Sequence, residues 1–585
     1  MYLSHERGLS AAPANSWGVT MPIVTGASRI LVKTRAGVPA HRLAAGAGRI
    51  GFEAEPLFTS IGDERQGLAP SAAWHVLTPS LSMSSQKAWD LCHNLMSGGL
   101  ALDDVPAPEF AEPDLQQQWV FDQAPAAALA MAGTCMPKPQ NGSFPTNPNP
   151  YWHRDAAHGQ FDLALTAIGD PGTNRVRVAH LDTGYDPNHQ ALPAHLNVAL
   201  ARNFVDVDHP NEAYDYTDGA VIHSRGHGTG TISVLAGRAF LNQPAIGAAP
   251  FAEVVPIRIA DSVVLLFNTS AIARAFDYVH SLCADPATRV HVITMSMGGV
   301  ASRAWADAVN ALYEAGVFVV TAAGNNFANL PTHQTVFPAR FGRVVAACGV
   351  MANEAPYADL GFGLMAGDYG PPKKMRTAIS GYTPNIPWAQ FGCPGVVNFD
   401  GAGTSCATPQ VAAAAAIWIQ RHQAQLDQYA EPWMRVEAVR KALFDSARGG
   451  DVDRIGRGEL RVADALNLAP ADGATLSKEP PDSAVFPILR LFFGQSLAAP
   501  DARQRMLELE ALQLSQRAEI EALLPDPSAD PAQFDPGKLR EIGDALASQS
   551  DASDALRNAL HASGRRVHVV ALPVSVGDPV LADHL

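Results

Sequence analysis

The chain has 585 residues, of which 47% are hydrophobic and 17% charged, with a formal net charge of −15. That length exceeds one compact domain, and the apolar share can fill a sizeable core. The acidic balance, with no lysine- or arginine-rich block, argues against a nucleic-acid partner, because phosphate binding needs a basic surface.

The amino terminus, Met1-Tyr2-Leu3-Ser4-His5-Glu6-Arg7, lacks a charged segment followed by an apolar stretch, so no secretory signal is expected. Ile30-Leu31-Val32 and Trp74-His75-Val76-Leu77 predict strands. Ser80 to Met96 predicts a helix with Ala88, Cys92 and Leu95 on one face and Gly98-Gly99 as its stop. Leu100 to Val105 predicts a returning strand, so residues 1–135 read as an α+β domain. Residues 136–150, with Pro137, Pro139, Pro145, Pro148 and Pro150, predict an exposed linker.

From Trp152 onward strands and helices alternate, as a parallel sheet with helices on both faces requires. Val176, Val178 and Leu181 predict a buried strand with Asp182 at its carboxyl end, where open α/β sheets place their sites. Strands are expected at Val254–Ile259, Val290–Ser296, Val317–Ala322 and Val344–Val350, and helices at Thr231–Ala236, Ser270–Leu282, Ala304–Ala315 and Val436–Phe444. Asp206, Asp208, Glu212, Asp215 and Asp218 gather in one loop. Clustered oxygens suit calcium, but no EF-hand spacing is present and a solvated acidic loop is the plainer reading. His223 and His227 have metal-ligand spacing, yet no glutamate follows His223, and Gly226 and Gly228 oppose a helix across the pair. No metal site and no cofactor are therefore assigned, calcium at the acidic loop being the one alternative.

The chemistry centres on Gly403-Thr404-Ser405-Cys406-Ala407-Thr408-Pro409 and the alanine-rich run to Ile419. A serine hydroxyl needs an imidazole to accept its proton and a carboxylate to orient that imidazole. His227, in Gly226-His227-Gly228-Thr229-Gly230-Thr231, and Asp182, in His180-Leu181-Asp182-Thr183-Gly184, supply both. Asp186 competes with Asp182 but reads as a turn in Asp186-Pro187-Asn188-His189. Cys406 is expected to pack as a small apolar residue rather than to react. The order Asp182, His227, Ser405 resembles that of the subtilisin-like serine proteases. Two more segments share the resemblance: Thr321-Ala322-Ala323-Gly324-Asn325-Asn326 and Ile293-Thr294-Met295-Ser296-Met297-Gly298-Gly299. The resemblance covers roughly Trp152 to Leu468.

It implies a serine endopeptidase with a doubly wound parallel sheet, a polypeptide substrate, Asn325 as oxyanion donor, and Ser296, Met297, Gly298 and Gly299 as the substrate-binding edge. By position it also implies a propeptide-like role for residues 1–135, with autoprocessing between Gln116 and Pro150. The catalytic domain then spans 151–469. Residues 470–585 form a C-terminal extension of unassigned role, mainly helical: Asp501–Leu524 predicts one helix, Asp535-Pro536 opens another, and Val567–Leu572 is strand-like. Either flank is a candidate surface for a regulatory protein partner. The rival reading is a protease-derived scaffold held inactive by its N-terminal segment or a partner. The six cysteines are scattered and too sparse for a disulfide scaffold, which fits a reducing compartment. The longest apolar run, Val411–Ile419, is too short to span a bilayer, so a cytoplasmic protein without membrane contact is expected.

Overall fold

The computed structural model describes residues 23–61, 73–80, 83–98, 105–119, 135–216, 226–241, 243–261, 267–330, 332–361, 363–484, 501–524 and 535–564. His223, Asp218 and the strand expected at Val567–Leu572 lie outside them.

The N-terminal region is built as β1 (Ile23–Lys33), α1 (Ala40–Arg49), β2 (Phe52–Pro56), β3 (Trp74–Pro79), β4 (Met83–Ser84), α2 (Ser85–Ser97) and β5 (Phe110–Trp119). Its sheet runs β2-β3-β1-β5, all antiparallel, a β-α-β-β-α-β ferredoxin-like order. The helix α2 starts later than expected because Met83 and Ser84 pair with β1, after which Ser84 caps the helix through Lys87 N. Gly98 ends it in the left-handed region at φ 75°. The strand expected at Leu100–Val105 lies, but for Val105, outside the described residues, and β5 is the later strand that pairs with β1. Its sequence, Phe-Ala-Glu-Pro-Asp-Leu-Gln-Gln-Gln-Trp, carries two acids and a proline, residue types that strands disfavour. The acids have partners in the next domain.

That domain holds a seven-stranded parallel sheet. Its strands are β6 (Arg177–Asp182), β7 (Arg202–Asn203), β8 (Glu253–Arg258), β10 (Val292–Met295), β11 (Phe318–Ala322), β13 (Val345–Val350) and β15 (Ala378–Tyr382), in the order β15-β13-β11-β10-β6-β8-β7, while β12 (Asn325–Phe327) and β14 (Met365–Gly367) pair with each other outside it. Its helices of eight or more residues are α3 (Phe161–Ile168), α4 (His227–Ala236), α5 (Thr269–Leu282), α6 (Arg303–Glu314), α7 (Thr404–Leu426) and α8 (Trp433–Ser446). The expected alternation is present, with most boundaries one or two residues off; the helices expected from Thr231 and Val436 begin earlier, at His227 and Trp433. No described helix is long and apolar enough to cross a membrane.

The two domains share one core, in which Leu31, Trp74 and Trp89 cluster with Phe276, Trp305 and Val309 of α5 and α6. At this interface Glu112, fully buried, accepts from Ser302 Oγ at 3.0 Å, Ala304 N at 2.9 Å and Arg303 N at 3.1 Å, capping α6. Asp114 does the same for α5 through Ser270 N and Oγ, both at 2.8 Å, and pairs with Arg29. The end of β5 adds to β9 (Phe267–Asn268), joining the first sheet to the second domain.

The C-terminal extension is helical: α9 (Ala502–Ser515), α10 (Ala518–Glu521), α11 (Pro536–Ser548) and α12 (Asp554–Gly564). The single helix expected over 501–524 is broken. At the break Gln516 donates to Gly299 O at 3.2 Å and accepts from Ala301 N at 2.9 Å, while Gln513 bonds Ala301 O and Trp89 Nε1. The extension thus lies against both other domains.

Residues 135–150 carry no helix or strand but are tied down: Lys138 N bonds Asn398, Asn141 N bonds Asn385, and Gln140 pairs with Asn147. Cys135 is joined to Cys393 by a disulfide. The cysteine count gave no sign of this bond.

Candidate active site

Asp182 ends the strand β6, which lies beside the central strand β10, and is fully buried. Its Oδ1 accepts from His227 Nδ1 at 2.7 Å and from Thr183 N at 2.8 Å; its Oδ2 accepts from Thr231 Oγ1 at 3.0 Å. Burial opposes its ionisation, but the charge of His227 and these hydrogen bonds outweigh burial and hold the carboxyl below its ordinary range.

His227 is the first residue of α4, and the helix must come very close to the sheet to deliver it. A Cβ on Gly228 would lie 2.0 Å from Gly184 O, and one on Gly230 would lie 1.7 Å from the Trp388 ring. Those two contacts explain the glycines around His227. Trp388 also stands edge-on to the imidazole, 5.6 Å between centroids.

Ser405 is the second residue of α7, the helix that packs across α4, β10 and β11. Its N–H is among those at a helix start that have no intrahelical acceptor. Pro409 lies four residues on and has no N–H to give back to the Ser405 carbonyl. Ser296 replaces that donor: its Oγ reaches Ser405 O at 3.1 Å, while Ser405 Oγ donates to Ser296 O at 3.2 Å. The nucleophile motif and the expected substrate edge are thereby stitched together.

Asn325 follows β11, and its Oδ1 accepts from Thr404 N at 2.8 Å and Thr404 Oγ1 at 3.2 Å. With the oxygen held, the Nδ2 donors are what the side chain offers beside Ser405. Met297 is buried, and Gly299 pairs with Phe337 on its far side, a bridge that fixes the edge. Cys406 is fully buried with its thiol pushed well above its ordinary pKa by that burial, as packing requires. Asp186 holds a turn, accepting from Asn188 N and Gly392 N. In the acidic loop Asp206 accepts from Asp208 N, Glu212 from Tyr216, and Asp215 from Gly226 N. Among the described residues no cluster of three or more metal-ligating side chains is present.

Sequence reasoning missed His180 and Thr231. Both carried a signal: His180 lies two residues before Asp182 on the same strand face, and Thr231 lies four after His227 on the same helix face.

Comparison with known proteins bears on the same stretch. The profile of the Subtilase family matches residues 173–458. Subtilisin of Bacillus pumilus is 30% identical over 265 residues, covering 44% of this chain and 82% of that protein. Subtilisin DY of Bacillus licheniformis is 28% identical over 307 residues, covering 51% of this chain and 93% of its own. Subtilisin E of Bacillus subtilis is 29% identical over 263 residues, which is 44% of this chain but 59% of that protein's length. The matched stretch holds Asp182, His227, Asn325 and Ser405 together with all seven strands of the parallel sheet, and by sequence and fold the chain belongs to the subtilase family.

Proposed function

We propose that the chain is a serine endopeptidase. Ser405 Oγ attacks the scissile carbonyl as its proton passes to His227 Nε2. The imidazolium then returns that proton to the leaving amine as the C–N bond breaks. Water hydrolyses the acyl-enzyme by the reverse sequence. Asp182 holds the ring in the Nδ1–H tautomer, and Asn325 Nδ2 with the Ser405 N–H binds the oxyanion. The substrate lies extended along Ser296, Met297, Gly298 and Gly299. The observation that carries this reading is the 2.7 Å bond from His227 to a buried Asp182 at the carboxyl end of β6.

The N-terminal domain, in the same reading, is an intramolecular chaperone and inhibitor, and the C-terminal helices strengthen its hold. Support comes from Glu112 and Asp114, which cap α6 and α5, and from the pairing of β5 with β9. Cleavage beyond Trp119 would then release it. Calcium at the acidic loop and a regulatory partner at either flank have no observation that favours them.

Full-length wild type and Ser405→Ala are compared by fluorophosphonate labelling and N-terminal sequencing. Labelling and a new N-terminus in wild type alone are expected, with a loss in kcat on the order of 10⁶ for the variant. Equal peptide cleavage by the two proteins would overturn the assignment.

A further inference from the structure

Beside the second oxygen of Asp182, the one that His227 does not hold, lies another histidine. His180 shares the strand β6 and is 3% exposed. Its Nε2 is 2.7 Å from Thr231 Oγ1, and the same Oγ1 is 3.0 Å from Asp182 Oδ2. The His180 ring is itself 3.9 Å from Asp182 Oδ2.

A hydroxyl has one proton and two lone pairs. Thr231 has four acceptors to choose from: Asp182 Oδ2, the His180 ring, and the carbonyls of His227 and Gly228, each at 3.3 Å. The carboxylate is the only charged acceptor and lies closer than either carbonyl. Were the proton turned to His180, an oxygen lone pair would face Asp182 Oδ2 at 3.0 Å in a buried site. The proton therefore lies toward Asp182. The lone pair then faces His180, whose Nε2 must carry hydrogen.

We propose that His180 and Thr231 are positioning residues for the triad, forming a one-directional chain from His180 Nε2–H to Thr231 Oγ–H to Asp182 Oδ2. The inference rests on the protease reading given above. The chain fixes the second oxygen of Asp182 while His227 and Thr183 fix the first. It also draws charge away from Oδ1, the oxygen that accepts the His227 Nδ1–H.

Burial holds His180 down to about 4, against an upward pull from Asp182, so it delivers a dipole and not a second positive charge at neutral pH. The groups that face one another here can be named. β6 gives Asp182 and His180, and α4 gives His227. β8 gives Arg258, whose guanidinium is occupied by Thr183 O and Asp261. β10 places the neutral Thr294 beside His180.

The test is the pH profile of kcat/KM for Thr231→Val, Thr231→Ser, His180→Leu and the double variant Thr231→Val/His180→Leu. Active sites are counted by fluorophosphonate titration. The acid limb should move up by about 0.5–1 pH unit in Thr231→Val, the size expected for one charge-assisted hydrogen bond lost from Asp182. Thr231→Ser should restore it. His180→Leu should shift it in the same direction by less, and should add nothing in the Thr231→Val background. A wild-type protein that labels, with an unmoved acid limb in Thr231→Val, overturns the relay and leaves the protease reading intact. A full further shift from His180→Leu in that background also overturns it. Failure of wild type to label at Ser405 overturns the protease reading instead. Should Thr231→Val not fold, the limb of His180→Leu decides by itself: a shift supports the relay and none overturns it.

Discussion

Ser296 and Ser405 hold each other reciprocally: each hydroxyl donates to the other's carbonyl oxygen, at 3.1 and 3.2 Å. The Ser405 carbonyl is open to this because Pro409 withholds the helical donor. Ser296 therefore links the end of β10 to the first turn of α7.

Replacing Ser296 by Ala removes the donor to a carbonyl that has no other helical partner. A loss of about 1–3 kcal/mol in stability is expected for a buried acceptor left without its donor. The measurement is equilibrium denaturation in the Ser405→Ala background, which prevents self-digestion. The variant should also lose kcat more than it raises KM, because the serine is misplaced while the edge remains. An unchanged denaturation midpoint would show that water replaces the hydroxyl without cost.

Gly230 tests how α4 is delivered. Its missing side chain accommodates the Trp388 ring, and a Cβ there would overlap the indole at 1.7 Å. Gly230→Ala should destabilise the protein by about 1–3 kcal/mol through overpacking and lower kcat by moving His227. Adding Trp388→Leu to Gly230→Ala should recover part of the stability. If Gly230→Ala alone matches wild type in both readouts, the close approach of helix and ring is not needed.

The parts of this molecule that sequence reveals are those where a local rule decides. Buried strands such as Val345–Val350 are continuous apolar runs, and Gly226, Gly228 and Gly230 mark where backbone must pass close to another group. Asp182, His227 and Ser405 stood out because their neighbours are small. What escaped depends on partners far along the chain. The strand Phe110–Trp119 carries Glu112 and Asp114 against its propensity, because they serve helices that begin at Thr269 and Arg303. The break at Gln516 follows from its bonds to Gly299 and Ala301, and no pattern within 501–524 announces it.

Glu112 makes the domain interface sensitive to pH. Complete burial raises its carboxyl to about 7 from an ordinary 4.5, outweighing the donors Ala304 N, Arg303 N and Ser302. A raised folded value contributes stability that is complete below 4.5 and is lost as pH rises through 7. His180 and His291, lowered by burial to about 4 from 6.5, act oppositely, adding stability as pH rises from 4 to 6.5. Comparing Glu112→Gln with its parent cancels the histidines. In the Ser405→Ala background the parent should lose up to about 3 kcal/mol relative to Glu112→Gln between pH 4.5 and 7. Parallel curves would mean that the helix cap keeps Glu112 ionised throughout.

The disulfide between Cys135 and Cys393 supplies the last prediction. It closes a loop across 258 residues of sequence and pins the start of the 135–150 strap beside Gly392, whose N–H is held by Asp186. Loop closure on this scale stabilises by about 2–5 kcal/mol when the native geometry accommodates the bond. Cys135→Ser in the Ser405→Ala background should lower the denaturation midpoint and open residues 135–150 to an added protease. Labelling with the fluorophosphonate probe, done in the Ser405 parent, should persist, since the triad lies on other elements. Differential alkylation of protein taken from its native cells then decides the compartment. Alkylation of Cys135 and Cys393 only after reduction places the protein where such bonds persist. Free thiols at both positions favour the cytoplasmic reading, in which the hydrogen bonds to Asn385 and Asn398 hold the strap by themselves.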